Sequence, residues 1–204
     1  MTTVGVRTTK RVVEPPAVDS LDEIQLERRA RIVDAAIEMM LDTEYERIQM
    51  KDGTAAAGVA LGTTSRYFAS KEHLLAQALL SWSDRFPPLD EPTSSGRSVD
   101  HLKKAYRRAV RAFEPHPTVY GTMVVLQATT DPWAIPLFNE FAARQTDSFA
   151  LYLPRIASPR REQIVTVMSA VLDVHLRAWC LGQQTIKQVY ATLDATAELL
   201  LGGA

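Results

Sequence analysis

The chain has 204 residues, 46% of them apolar and 23% charged, ordinary globular proportions for one larger domain or a small domain joined to a medium one. A long disordered protein is excluded, because such chains combine low hydrophobicity with high net charge. The single cysteine, Cys180, excludes a disulfide scaffold. Lys and Arg (23) nearly balance Asp and Glu (24), for a net charge of −1. Taken alone, that total argues against a nucleic-acid binder.

Residues 1–20 are polar and interrupted by Pro15 and Pro16. They read as a flexible arm without the apolar run of a secretory signal. Arg7, Lys10 and Arg11 make its start basic. From Leu21 the pattern turns helical: Ile32, Val33, Ala36, Ile37, Met40 and Leu41 fall on one face. Asp42-Thr43-Glu44 ends that stripe. A short helix is expected over about residues 50–57, stopped by Gly58, since glycine accepts the left-handed conformation of a sharp turn. A second follows over about 61–68. Ser70 then reads as the cap of a helix carrying Leu74, Leu75, Ala78, Leu79 and Trp82.

Residues 87–98 read as a linker rich in Pro, Ser, Asp and Gly. Beyond it the periodicity predicts helices over about 99–114, 118–129, 132–153, 160–182 and 185–201, punctuated by Pro115, Pro117, Pro154, Pro159 and Gly182. No segment alternates with period two for long enough to form a strand. The expected fold is all-α. An arm (1–20) precedes a helix-turn-helix domain with its connecting helix (21–86), and a second helical domain spans 87–204. The most apolar stretch, Gln163 to Leu181, contains Asp173, His175 and Arg177. It is therefore not expected to span a membrane, and the expected location is cytoplasmic.

The informative segment runs from Lys51 to His73. Two short helices joined at Gly58 make a helix-turn-helix. The second carries Thr63, Thr64, Ser65 and Arg66, slim hydroxyl side chains and one cation. Such a helix can approach base edges in the major groove, methyl to thymine methyl and hydroxyl or guanidinium by hydrogen bond. Lys71, at the start of the next helix, can reach a phosphate. Phe68 is assigned to the core and Tyr67 to the phosphate backbone, while Thr64 is open between base contact and partial burial. The full candidate DNA-contacting set is Lys51, Ala60, Leu61, Thr63, Thr64, Ser65, Arg66, Tyr67 and Lys71.

The run Ala57-Gly58-Val59, Gly62-Thr63, Arg66-Tyr67-Phe68, Ser70-Lys71 and Leu74-Leu75 resembles the DNA-binding signature of the TetR family of bacterial transcriptional regulators. The resemblance implies a three-helix DNA-binding head, a fourth connecting helix, and a C-terminal domain that dimerises and binds an effector. It implies a double-stranded operator and an apolar small molecule as partners, and a repressor as the function. Three positions depart from the family pattern: Gly53 and Thr64 where apolar residues are usual, and Ser65 where an aromatic one is. Within the family, Tyr45 to Lys51, Gly62 to Leu79 and Val171 to Gly202 look most like KstR-type repressors of steroid catabolism, which implies a sterol-derived ligand.

An effector pocket in the C-terminal domain would draw on Tyr106, Phe113, Met123, Trp133, Phe138, Phe141, Phe149, His175 and Trp179, the same side chains that ordinary core packing would use. The helix over 99–114 also carries Lys103, Lys104, Arg107, Arg108 and Arg111 on one face, either a solvated surface or the seat of an anion. Asp173, His175 and Cys180 lack the spacing of a metal site. No cofactor is expected. No nucleophile motif, phosphate loop or dinucleotide fingerprint is present, so an enzyme is not expected. The rival to a regulator is an all-helical protein–protein adaptor, which would leave the hydroxyl-rich second helix unexplained. Divided along the chain, the charge becomes more informative. Arg47 to Leu75 holds Arg47, Lys51, Arg66 and Lys71 against Asp52 and Glu72, while the acids concentrate on the supporting first helix.

Overall fold

A computed structural model describes residues 14–56, 58, 60–86 and 97–202. The basic arm and most of the expected linker lie outside them. The described residues form helices and short 3-10 turns, with no strand among them: α1 (Glu23–Asp42), α2 (Met50–Ala56), α3 (Leu61–Tyr67), α4 (Lys71–Ser83), α5 (Ser98–Phe113), α6 (Pro117–Gln127), α7 (Ala134–Ala150), α8 (Arg160–Cys180) and α9 (Ile186–Leu201).

Local signals start and stop these helices. At α1, Asp22 and Gln25 form a reciprocal capping box, with Gln25 N–H donating to Asp22 Oδ1 at 2.8 Å. The expected stripe Ile32, Val33, Ala36, Ile37 and Met40 is buried. Gly58, at φ +65°, makes the sharp turn between α2 and α3. Ser70 caps α4 as expected, its Oγ accepting from His73 N–H at 2.9 Å. Between α8 and α9, Gly182 N–H donates to Trp179 O at 2.9 Å and Gln183 N–H to Ala178 O at 2.8 Å, a Schellman-type ending.

Helices α1 to α4 share a core built on Ile32, Ile37, Met40, Phe68, Leu74, Leu75 and Leu79. Helix α4 packs on α1 and also on α7, so it belongs to both halves. Helix α6 is tied to α1 directly. Thr118 Oγ1 lies 2.7 Å from Met40 O and 2.8 Å from Leu41 O, supplying a donor to carbonyls at the end of α1. At the far end of α4, Arg85 pairs with Asp34 at 2.8 Å and Glu38 at 3.2 Å, and Asp84 pairs with Arg144 of α7 at 2.8 Å. Among the described residues no helix is long and apolar enough to cross a membrane.

Candidate functional site

The head of the molecule presents α3 on its surface. Seven residues make two turns, too short for independent stability, so the placement of α3 depends on what it buries. Thr64 is 0% exposed, Tyr67 3% and Phe68 0%. The opposite flank carries exposed Gly62, Ser65 and Arg66 and half-buried Thr63. Lys51 on α2 and Ala60, the residue preceding α3, are also exposed. The side chain of Leu61 lies outside what the structure describes.

Three expectations about this face need correction. Thr64 faces the core, so it cannot meet a base, and its Oγ1 has no hydrogen-bond partner among the described residues. Tyr67 packs its ring inward beside Phe68, and any phosphate contact would fall to its hydroxyl alone. Lys71 is committed to the protein itself. Its Nζ donates to Tyr45 O at 2.7 Å and Ile48 O at 3.1 Å, and sits 3.7 Å above the Tyr45 ring. The ammonium thereby ties α4 to the turn over Tyr45–Arg47. Tyr45 in turn donates its hydroxyl to Glu72 Oε1 at 2.5 Å.

The second feature is a partly open cavity of about 310 Å³ lined by the end of α4 and by α5, α6, α7 and α8. That volume suits a small-molecule site. On α5 the wall is Ala105, Arg108, Ala109, Ala112 and Phe113, at helical spacing, and the three alanines leave the space open. Of the residues considered for an effector pocket, Phe113, Met123, Phe138, Phe141 and Phe149 line this cavity.

Four expected residues do not line it. Tyr106 stands behind the wall, stacked on Phe149 at 4.0 Å, with its hydroxyl 3.1 Å from Val165 O and 3.0 Å from Ser169 Oγ. Trp133 packs on His73. On α8 the lining arc is Ser169, Leu172, Asp173 and Leu176. His175 falls off that arc and faces Gln184, its Nδ1 3.0 Å from Oε1. Trp179 lies a turn beyond its end.

Sequence reasoning missed Trp82, Phe86, Arg108, Tyr120, Gln127 and Asp173 as cavity residues. Asp173 accepts from Tyr120 at 2.7 Å, Gln127 at 3.0 Å and Arg177 at 3.1 Å. Burial opposes its charge, but these hydrogen bonds outweigh burial and hold its carboxyl below the usual range. Arg108 is half-buried in the cavity wall and has no ion-pair partner among the described residues. The signal for it was an arginine set within a stripe of alanines.

The basic face of α5 divides in two. Lys103 pairs with Glu198 at 2.5 Å and Arg107 with Asp194, both acids on α9. These two cations serve helix packing. Lys104 and Arg111 are exposed, and Arg108 turns to the cavity. Among the described residues, no group of three or more His, Cys, Asp or Glu could hold a metal ion.

Comparison with known proteins agrees with this layout. The family model for bacterial regulatory proteins of the tetR family matches residues 32–78, which span most of α1 through α4. The HTH-type transcriptional repressor KstR of Mycolicibacterium smegmatis is 30% identical over 187 residues, covering 88% of this chain and 90% of that protein. KstR of Rhodococcus jostii is 28% identical over 186 residues, covering 90% and 87%. In fold, a TetR transcriptional regulator from Rhodococcus sp. RHA1 superposes with a TM-score of 0.71 at 23% identity, covering 89% of this chain and 98% of that one. The regulator FadR from Bacillus subtilis, in complex with stearoyl-CoA, gives 0.66 at 18%, covering 86% and 98%. The KstR likeness read from the sequence is borne out by these relatives, which are regulators and not enzymes. With a helix-turn-helix head, an all-helical C-terminal half and relatives that match along nearly its whole length, the chain belongs to the TetR family of DNA-binding transcriptional repressors.

Proposed function

We propose that the protein acts as a homodimer that sets α3 of each subunit into successive major grooves, about 34–36 Å apart, and leaves its operator when an apolar molecule with an anionic group fills the cavity. The observation that carries the DNA part is the exposed flank of α3, with Thr63, Ser65 and Arg66 beside a bare Gly62. Arg66 would take a guanine edge and Thr63 a thymine methyl. Lys51 and the backbone at Ala60 would fix position on phosphates.

Dimerisation is supported by α8. Val167, Val174 and Leu181 recur every seven residues on one stripe and are all exposed, and Leu199 on α9 is 86% exposed. Such a seam can be covered by the same helices of a second copy. The effector class is supported by the aromatic walls and by the cation of Arg108 among them, which has no ion-pair partner among the described residues. A sterol-derived acyl thioester fits both, in line with the KstR relatives. An effector acts only through a difference in its affinity for the two arrangements of the heads.

The test is selection of a preferred duplex from a random pool, followed by titration of variants. Arg66→Ala should cost about 1–3 kcal/mol on that duplex and relax preference at one base pair. An unchanged sequence profile in Arg66→Ala would show that α3 does not read the bases through this residue.

A further inference from the structure

A stack of rings joins the C-terminal helices to α3. Trp133 is the N-cap residue of α7. Asp131 fixes it there, with Oδ1 accepting from the backbone N–H groups of Trp133 and Ala134, each at 2.9 Å. The indole stacks on the imidazole of His73, centroids 6.0 Å apart and planes at 22°. The same imidazole meets Phe68 edge-on at 5.2 Å and 68°. Phe68 is the C-cap residue of α3. His73 Nδ1 also accepts from Ala69 N–H at 3.2 Å. His73 therefore touches the C-cap of α3 and Ala69 just beyond it, and Trp133 stacks on His73 from the C-terminal helices.

Neither the operator contacts nor the effector cavity uses this pair. Trp133 is outside the cavity lining. His73 is 8% exposed and closed to DNA. We infer that Trp133 and His73 are positioning residues for operator reading, and that the C-terminal domain holds the recognition helix in place through their stack. The inference rests on α3 being the helix that reads the operator.

The physical basis is the difference between two kinds of contact. A bidentate base contact needs its donor placed within about 0.5 Å. Phosphate contacts made by long, flexible side chains tolerate more displacement and dominate non-specific binding. A two-turn helix that loses one support keeps the second kind and loses the first. Trp133→Leu retains apolar bulk and removes the stack. His73→Asn keeps a hydrogen-bond acceptor near the position of Nδ1 and removes the ring.

The experiment measures the affinity of the full-length protein for its selected duplex and for a scrambled one. In Trp133→Leu and His73→Asn the ratio of the two affinities should fall about tenfold, roughly the contribution of one aromatic pair. The salt slope on the scrambled duplex should stay unchanged. Trp133→Phe should restore the ratio. The double variant should be no worse than His73→Asn alone, because that variant already removes the Trp133 stack. A purely structural role would lower both affinities together and leave the ratio at the wild-type value, and that result would overturn the inference. So would a normal ratio in His73→Asn, the variant that leaves Trp133 and the fold of α7 untouched. Failure of the operator reading looks different: wild type itself would then show no preferred duplex.

Discussion

At the scale of single residues, Thr64 shows what a residue type cannot tell. Beside Thr63 and Ser65 it reads as part of a hydroxyl-rich face, yet it is fully buried and its Oγ1 has no partner among the described residues. A buried hydroxyl without a partner costs about 1–3 kcal/mol. Thr64→Val keeps the shape and removes that atom. It should stabilise the protein by about 1 kcal/mol, a rise of a few degrees in Tm, without changing the operator profile. A changed profile would mean that the side chain reaches the bases after all. His73 is the second case. Burial first, and then the nearby Arg29, push its pKa down to about 4, with Asp131 pulling the other way. In the unfolded chain it takes a proton near pH 6.5. Between about pH 6.5 and 4 the unfolded state therefore binds more protons, and stability falls as the pH falls. Above that window His73 is neutral in both states and contributes no pH dependence. Urea midpoints at pH 7 and pH 5 check this: the gap between them should be smaller in His73→Asn than in wild type.

At the scale of elements, the helices were legible because apolar spacing and caps are local. Asp22, Ser70, Gly58 and Gly182 each mark an end with groups only a few residues away. The side from which α3 is seen was not legible, because seven residues give no clear stripe and burial is decided by α2 and α1. Gly53 was legible only as a departure. A Cβ there would lie 2.9 Å from Met39 Cε on α1, the end of a flexible side chain that can move aside, so the close approach favours glycine without requiring it. Lys71 was misread for a related cause. Its acceptors lie 23 and 26 residues earlier in the chain, and no local pattern announces them. Lys71→Met keeps the stem and loses the ammonium. Hydrogen bonds to a charged donor contribute about 1.5–3 kcal/mol each, and this donor is half-buried and partly screened. A loss of about 1–2 kcal/mol in stability is expected. The slope of DNA affinity against salt should match wild type, because this ammonium neutralises no phosphate. A slope flatter by about one would return Lys71 to the phosphate backbone.

At the scale of the whole molecule, the cavity depends on what is missing from its walls. Ala105, Ala109 and Ala112 turn small side chains toward aromatic rings from three other helices, and which faces meet is a property of the packed bundle. The aromatic half of the lining was readable from composition, since large rings belong inside. The polar half was not: Asp173 read only as a charge in an apolar helix, and Arg108 was one of five cations on a face left open between solvated surface and anion seat, with nothing local to single it out. Asp173 is satisfied by three donors, whereas Arg108 has the cavity in front of it. An effector carrying an anion would gain a charge-assisted contact there that an uncharged one would not. Arg108→Met keeps length and removes charge. If the proposed effector reading holds, the concentration of an anionic long-chain acyl thioester needed to release the protein from its selected duplex should rise about tenfold or more, in keeping with about 1.5–3 kcal/mol for such a contact. The response to an uncharged long-chain alcohol should not change, nor should operator affinity without effector. If both probes lose potency equally, Arg108 shapes the cavity and does not choose what enters it.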